Sequence, residues 1–155
     1  MSHSLALPAD SLKPIASDAL RQTPCVIWLT GLPGTGKAAI AQKVERHLAS
    51  LGRSVMLLNE EPKRAGDMAK LLYDAGLIVI AAQISPTRAE RARLASQLPT
   101  GRFVEIHLTS ASADLDPSYE PPLSPTLSLR TDRLSPEEAA VYVVQAIVGW
   151  EWRPS

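Results

Sequence analysis

The chain has 155 residues, 45% of them hydrophobic, and its 16 basic side chains are balanced by 16 acidic ones. That is one domain's worth with enough apolar mass for a real core, and the balanced charge offers no basic footprint for nucleic acid or an anionic membrane. A single cysteine, Cys25, rules out a disulfide framework, and the absence of a signal-like or membrane-spanning apolar stretch makes a cytoplasmic protein the expectation.

Residues 1–24 carry Pro8, Pro14 and Pro24 with weak periodicity around Leu12, Ile15 and Leu20. They read as a tail or short docking segment ahead of a domain spanning 25–152. Cys25 to Thr30 is β-rich and apolar throughout, as a parallel strand buried on both faces should be. The strand breaks into Gly31-Leu32-Pro33-Gly34-Thr35-Gly36-Lys37, the form G-x-x-x-x-G-K. In that form, between a strand and a helix, successive backbone N–H groups point into one concavity and wrap a polyphosphate.

Gly34 and Gly36 let the backbone turn, and Lys37 is placed to reach the β/γ-phosphates of ATP as a point charge. The next residue is normally Ser or Thr, whose hydroxyl holds Mg²⁺; here it is Ala38, followed by Ala39. The nucleotide site expected from the sequence is therefore Gly31, Leu32, Pro33, Gly34, Thr35, Gly36, Lys37, Ala38 and Ala39. Mg²⁺ loses its usual protein ligand and no other metal site is expected. A glycine-rich strand-to-helix turn with no ligand is the plain alternative.

A helix from Lys37 to about Leu51 puts Ile40, Val44, Leu48 and Leu51 on one side, with Gln42, Lys43, Glu45 and Arg46 largely on the other. Ser54–Leu58 is a second strand, and Asn59 to Arg64 lie at its carboxyl end, the edge where open α/β sheets bind ligands. A helix from about Asp67 to Ala75 leads to a third strand at Leu77–Ala82. Gln83-Ile84-Ser85-Pro86-Thr87-Arg88 follows at its carboxyl end, then a charged helix to about Leu98 and a fourth strand at Val104–Leu108. Residues 113–125 form a proline-rich loop, Leu127–Thr131 a fifth strand, and Ser135 caps a last helix whose buried side is Val141, Val144, Ile147 and Val148. Strands alternating with helices imply an α/β fold, a parallel five-stranded sheet in a three-layer α/β/α arrangement of the P-loop NTPase kind.

Several phrases resemble one family in the same order over about residues 25–149. Val26-Ile27-Trp28-Leu29-Thr30-Gly31-Leu32, Ala69–Ile80, Ile84-Ser85-Pro86-Thr87-Arg88, Asp116-Pro117-Ser118-Tyr119-Glu120-Pro121-Pro122 and Ser135-Pro136-Glu137-Glu138-Ala139 are similar to stretches of the adenylylsulfate kinases. These enzymes transfer the γ-phosphate of ATP to the 3′-hydroxyl of adenosine 5′-phosphosulfate (APS) in sulfate assimilation. The resemblance implies Lys37 and Glu61 as catalytic residues and Arg64, Ile84, Ser85 and Arg88 as the APS-binding set. It also implies a homo-oligomer or a partner sulfate-activating enzyme.

The departures sit at the chemistry. Where the family has D-G-D-N-V-R, this chain has Asn59-Glu60-Glu61-Pro62-Lys63-Arg64; Gln83 replaces a phenylalanine that stacks on the APS adenine. The long lid after the fourth strand is missing, and only Ser110 to Leu115 bridges the gap. Glu61 can act as base or orient metal through water, or be a solvated charge; Arg64 and Arg88 can clamp an anion or be solvated. His3, His47 and His107 have no partners at metal or triad spacing, and His47 and His107 read as structural. Two functions stay open: an adenylylsulfate kinase with weak or lost catalysis, and a non-catalytic phosphate-binding or scaffold module serving a partner.

Overall fold

A computed structural model describes residues 22–58, 62–82 and 87–151, and for 62–64 and 149–151 the backbone only. Its elements, in order, are β1 (Cys25–Thr30), α1 (Lys37–Ser50), β2 (Val55–Leu58), α2 (Pro62–Asp74), β3 (Ile78–Ala81), α3 (Arg88–Ser96), β4 (Phe103–Thr109), β5 (Leu127–Arg130) and α4 (Pro136–Glu151). The strands make one sheet in the order β2-β3-β1-β4-β5, and every pairing is parallel. This is the three-layer P-loop architecture expected from the alternation of strands and helices.

β1 lies at the centre, and its period of two divides the core. Cys25, Ile27 and Leu29 face α1 and α4, packing with Ile40, Val44, Leu48, Val143 and Ile147. Val26 and Trp28 face the other way, with Ala65, Ala69 and Leu72 of α2 and Leu94 of α3. Since β3 and β4 flank β1 on opposite sides, the chain's winding reverses there, and the carboxyl end of β1 opens into a crevice. The phosphate-loop sequence occupies that point.

Helix limits differ from expectation mainly at α2, which begins at Pro62 rather than near Asp67. A proline in the first turn needs no N–H partner and has its φ already set for a helix, so Pro62 starts the element instead of delaying it. On α1, Glu45 is buried and Leu51 is 49% exposed, the reverse of the expected faces. Leu51 is the C-cap, beyond the last full turn, so the inward stripe ends at Leu48. On α4 the inward stripe is Ala139, Ala140, Val143, Val144 and Ile147, and Val141 points out. Ser135 caps α4 as expected: its Oγ accepts from Glu138 N at 3.1 Å while Glu138 Oε1 accepts from Ser135 N at 2.9 Å.

Of the amino-terminal segment only Gln22–Pro24 is described. The Gln22 side chain ties the starts of β2 and β3 together, donating to the carbonyls of Ser54 and Gly76 and accepting from Ser54 N. No helix among the described residues is long and apolar enough to cross a membrane.

Candidate functional site

The loop from Gly31 to Gly36 leaves β1 and enters α1 without a side-chain cap. Gly36 is the N-cap at φ 79° and ψ 26°, and the helix starts with Ile40 N donating to the Gly36 carbonyl at 3.1 Å. The first-turn N–H groups have no side-chain cap, and Gly34, Ala38 and Ala39 beside them are exposed. Gly31 is set by space rather than φ: a Cβ there would lie 2.5 Å from the Leu108 carbonyl oxygen and 3.0 Å from Thr35 Oγ1. β4 thus presses against the root of the loop.

Lys37 is 9% exposed, and its ammonium lies over the base of the loop. Nζ donates to the carbonyls of Gly31 at 2.8 Å and Leu32 at 3.0 Å, and approaches Thr35 Oγ1 at 3.5 Å. Burial holds its pKa below the ordinary lysine value. Thr35, also buried, donates from Oγ1 to the Leu32 carbonyl at 2.9 Å. The loop therefore carries a desolvated cation beside an uncapped helix N-terminus, an arrangement suited to a polyphosphate.

Mg²⁺ fits these residues poorly. Ala38 has no oxygen, the Thr35 hydroxyl is committed to a carbonyl, and the Thr30 hydroxyl pairs with Tyr119. Among the described residues no group of three His, Cys, Asp or Glu side chains stands ready to hold a metal.

The other expected site residues are distributed unevenly. Glu61, Ile84 and Ser85 lie outside the described residues, as do Asn59 and Gln83, and Arg64 is placed only by its backbone in the first turn of α2. Arg88 opens α3 and is held by the proline-rich loop: its N–H donates to Glu120 Oε1 at 2.8 Å and its Nε to the Pro121 carbonyl at 2.7 Å. Part of its guanidinium is therefore already engaged within the chain.

One turn further along α3 lies a residue the sequence reading missed. Arg91 is 2% exposed, with Nε donating to Glu105 Oε2 of β4 at 2.9 Å and Nη2 to the Glu120 carbonyl. Its guanidinium stands 5.6 Å from the centre of the Tyr119 ring, whose hydroxyl meets Thr30 Oγ1 at 3.0 Å. Burial raises the Glu105 and Tyr119 pKa values despite the opposing effects of Arg91 and, for Tyr119, Thr30. His107, beside the Tyr119 ring, is lowered by burial and then by the Arg91 charge. The available signal was Glu105, the one carboxylate on this strand, flanked by Val104 and Ile106 and in want of a cationic partner.

A parallel sheet in the order 2-3-1-4-5, with a glycine-rich loop and lysine at the carboxyl end of its central strand, defines a P-loop kinase fold. The sequence matches the family profile described as adenylylsulphate kinase over residues 23–62 and 58–118, and the chain belongs to that family. It is 32% identical to the adenylyl-sulfate kinase of Vibrio cholerae over 170 aligned positions, covering 82% of this chain and 79% of that one. It is 42% identical over 106 positions to the bifunctional enzyme NodQ of Azospirillum brasilense, covering 56% of this chain and 17% of NodQ. Among solved structures, the Mycobacterium tuberculosis APS kinase CysC Cys556Ala mutant superposes with a TM-score of 0.67 at 28% identity, over 82% of this chain and 99% of that one. A hexameric APS kinase from Thiobacillus denitrificans gives 0.70 at 24% identity over 97% of this chain and 36% of its own, a likeness of fold.

Proposed function

We propose that this chain binds the polyphosphate of ATP through residues 31–39 and is an adenylylsulfate kinase-like protein whose γ-phosphate transfer to the 3′-hydroxyl of APS is weak or lost. The observation that carries the reading is the combination at the root of α1: an intact glycine cradle with Lys37, and Ala38 at the position of the metal-binding hydroxyl. Binding needs the cradle and Lys37; fast transfer also needs the metal-holding hydroxyl that Ala38 lacks.

Lys37 would exchange its bonds to the Gly31 and Leu32 carbonyls for phosphate oxygens, with the backbone amides of Gly34 to Ala39 completing the cradle. On the acceptor side, Arg88 and Arg64 are the candidate anion clamps, Ile84 and Ser85 the candidate wall, and Glu61 the candidate base. Phosphoryl transfer is mostly positioning and charge neutralisation. Well-oriented attack is worth roughly 7–11 kcal/mol, and an acceptor held without the lid forfeits part of it. The short loop after β4 supports that loss, because it docks on the phosphate loop itself, with Asp114 N donating to the Pro33 carbonyl at 3.0 Å.

The non-catalytic reading is a phosphate-binding module serving a sulfate-activating partner or a second copy, and it is favoured specifically by Ala38. A coupled assay with ATP, Mg²⁺ and APS separates the two. Turnover in the range of about 1–100 s⁻¹, abolished by Lys37→Ala, overturns impaired catalysis. Slow, Lys37-dependent turnover supports a weakened kinase, and none at all supports the binding module.

A further inference from the structure

The segment between β4 and β5 has no helix or strand of its own, yet it is pinned at both ends of the site. On one side it holds the phosphate loop twice, through Asp114 N to the Pro33 carbonyl at 3.0 Å and the Tyr119 hydroxyl to Thr30 Oγ1 at 3.0 Å. Thr30 is the last residue of β1, immediately before Gly31. On the other side it holds α3, since Glu120 and Pro121 accept from Arg88 and the Glu120 carbonyl accepts from Arg91.

A local turn presents Tyr119 for this contact. Asp116 Oδ1 accepts from Ser118 N at 3.0 Å and from Ser118 Oγ at 2.7 Å, and Tyr119 N donates to the Asp116 carbonyl at 3.0 Å. The Tyr119 ring is then buried near both Arg91 and His107. Arg91 cannot follow a moving loop, because Glu105 fixes it to β4. A change in the phosphate loop's root therefore pulls on Tyr119, and a change in the proline turn pulls on Arg88.

We propose that residues 113–121 form a fixed strap in which Tyr119 and Arg91 are positioning residues, coupling the shape of the phosphate loop to the placement of Arg88. The use of that coupling in binding rests on the nucleotide reading above. The coupling itself belongs to the unliganded chain, and it is a contiguous physical network rather than a matter of proximity.

The test is amide hydrogen exchange on the full chain without ligand. Tyr119→Phe removes one hydroxyl and keeps the ring over Arg91. Peptides covering 30–37 and 110–121 are then expected to exchange about fivefold faster together, with β3 and α4 unchanged. Ser118→Ala, which removes the Oγ bond to Asp116 inside the turn but touches neither Thr30 nor Arg91, is expected to loosen 110–121 alone. In Thr30→Val/Tyr119→Phe no hydroxyl is stranded, so a merely structural cost would be recovered, whereas loss of the tie leaves both segments fast.

Faster exchange confined to 110–121 in Tyr119→Phe, or recovery in the double variant, overturns the strap. ATP titration of the same proteins keeps the two readings apart. Failure of the wild type to bind ATP defeats the nucleotide site and leaves exchange to decide the coupling. If the wild type binds, Tyr119→Phe is expected to weaken ATP about fivefold, and unchanged affinity overturns the proposal.

Discussion

Placing a methyl group on Gly31 and another on Gly36 separates two reasons why the phosphate loop needs glycine. At Gly31 the new Cβ would meet the Leu108 carbonyl oxygen at 2.5 Å and Thr35 Oγ1 at 3.0 Å. The carbonyl belongs to β4, which is paired in register with β1 from Val26↔Phe103 to Thr30↔His107, so it cannot retreat without opening the centre of the sheet. Overpacking of this kind costs about 1–3 kcal/mol, and a backbone clash places Gly31→Ala near 3 kcal/mol. At Gly36 nothing lies within 4 Å of the added atom, and only the left-handed φ of 79° is unfavourable. That strain is about 1–2 kcal/mol, offset by about 0.4–1 kcal/mol from a stiffer unfolded chain, for a net cost near 1 kcal/mol. With about 2–4 °C per kcal/mol for a chain of this size, Gly36→Ala should lower Tm by about 2–4 °C and Gly31→Ala by about 6–12 °C. Urea midpoints with unchanged slopes provide the second measure. Equal losses, or the larger loss at Gly36, would refute the packing of β4 against the loop.

Arg91→Met should destabilise by about 3–5 kcal/mol in urea titrations, because it leaves the Glu105 carboxylate half-buried without its partner, and Arg91→Met/Glu105→Gln should recover much of that loss. His107 has a lowered pKa from burial and from Arg91, so the unfolded chain binds its proton more readily. Its contribution to stability therefore improves as pH rises from the lowered folded value to about 6.5, and worsens as pH falls through that window. Glu105, raised by burial, has the opposite sign, losing stability as pH rises from its unfolded pKa through its raised folded one; the wild-type minus His107→Phe difference, followed by urea titration between pH 5 and 7, isolates the histidine. A flat difference would contradict the assignment. Glu45 is 4% exposed, and its Oε2 has no hydrogen-bond partner among the described residues, so Glu45→Met should raise the urea midpoint by the equivalent of about 1 kcal/mol.

What the sequence made legible was whatever depends on local pattern. The apolar run of β1, the glycine turn, the alternation that makes the sheet parallel, and the Ser135 cap each follow from residues close together in the chain. Glu45 was misplaced because a helical wheel assigns faces by polarity, while Glu45 stands one turn from buried Ala41 and Leu48, on the inward side of α1. Arg91 went unnoticed because its partners come from β4 and the proline turn, far away in sequence and brought together only by the sheet order. The bonds from the Lys37 ammonium to the carbonyls of Gly31 and Leu32 were not legible in the spacing. Arg88 was read as an anion clamp or a solvated side chain; its Nε donates to the Pro121 carbonyl and its backbone N–H to Glu120. Both are long-range or loop-internal hydrogen bonds, which spacing does not reveal.

The central claim, that residues 31–39 cradle a polyphosphate at the carboxyl end of the central strand, is tested most directly by titrating the full chain with ATP in a calorimeter, with and without Mg²⁺. Saturable binding that survives removal of Mg²⁺ and disappears in Lys37→Ala is the expected result. No heat of binding from correctly folded protein, or binding unaffected by loss of the lysine, would contradict it.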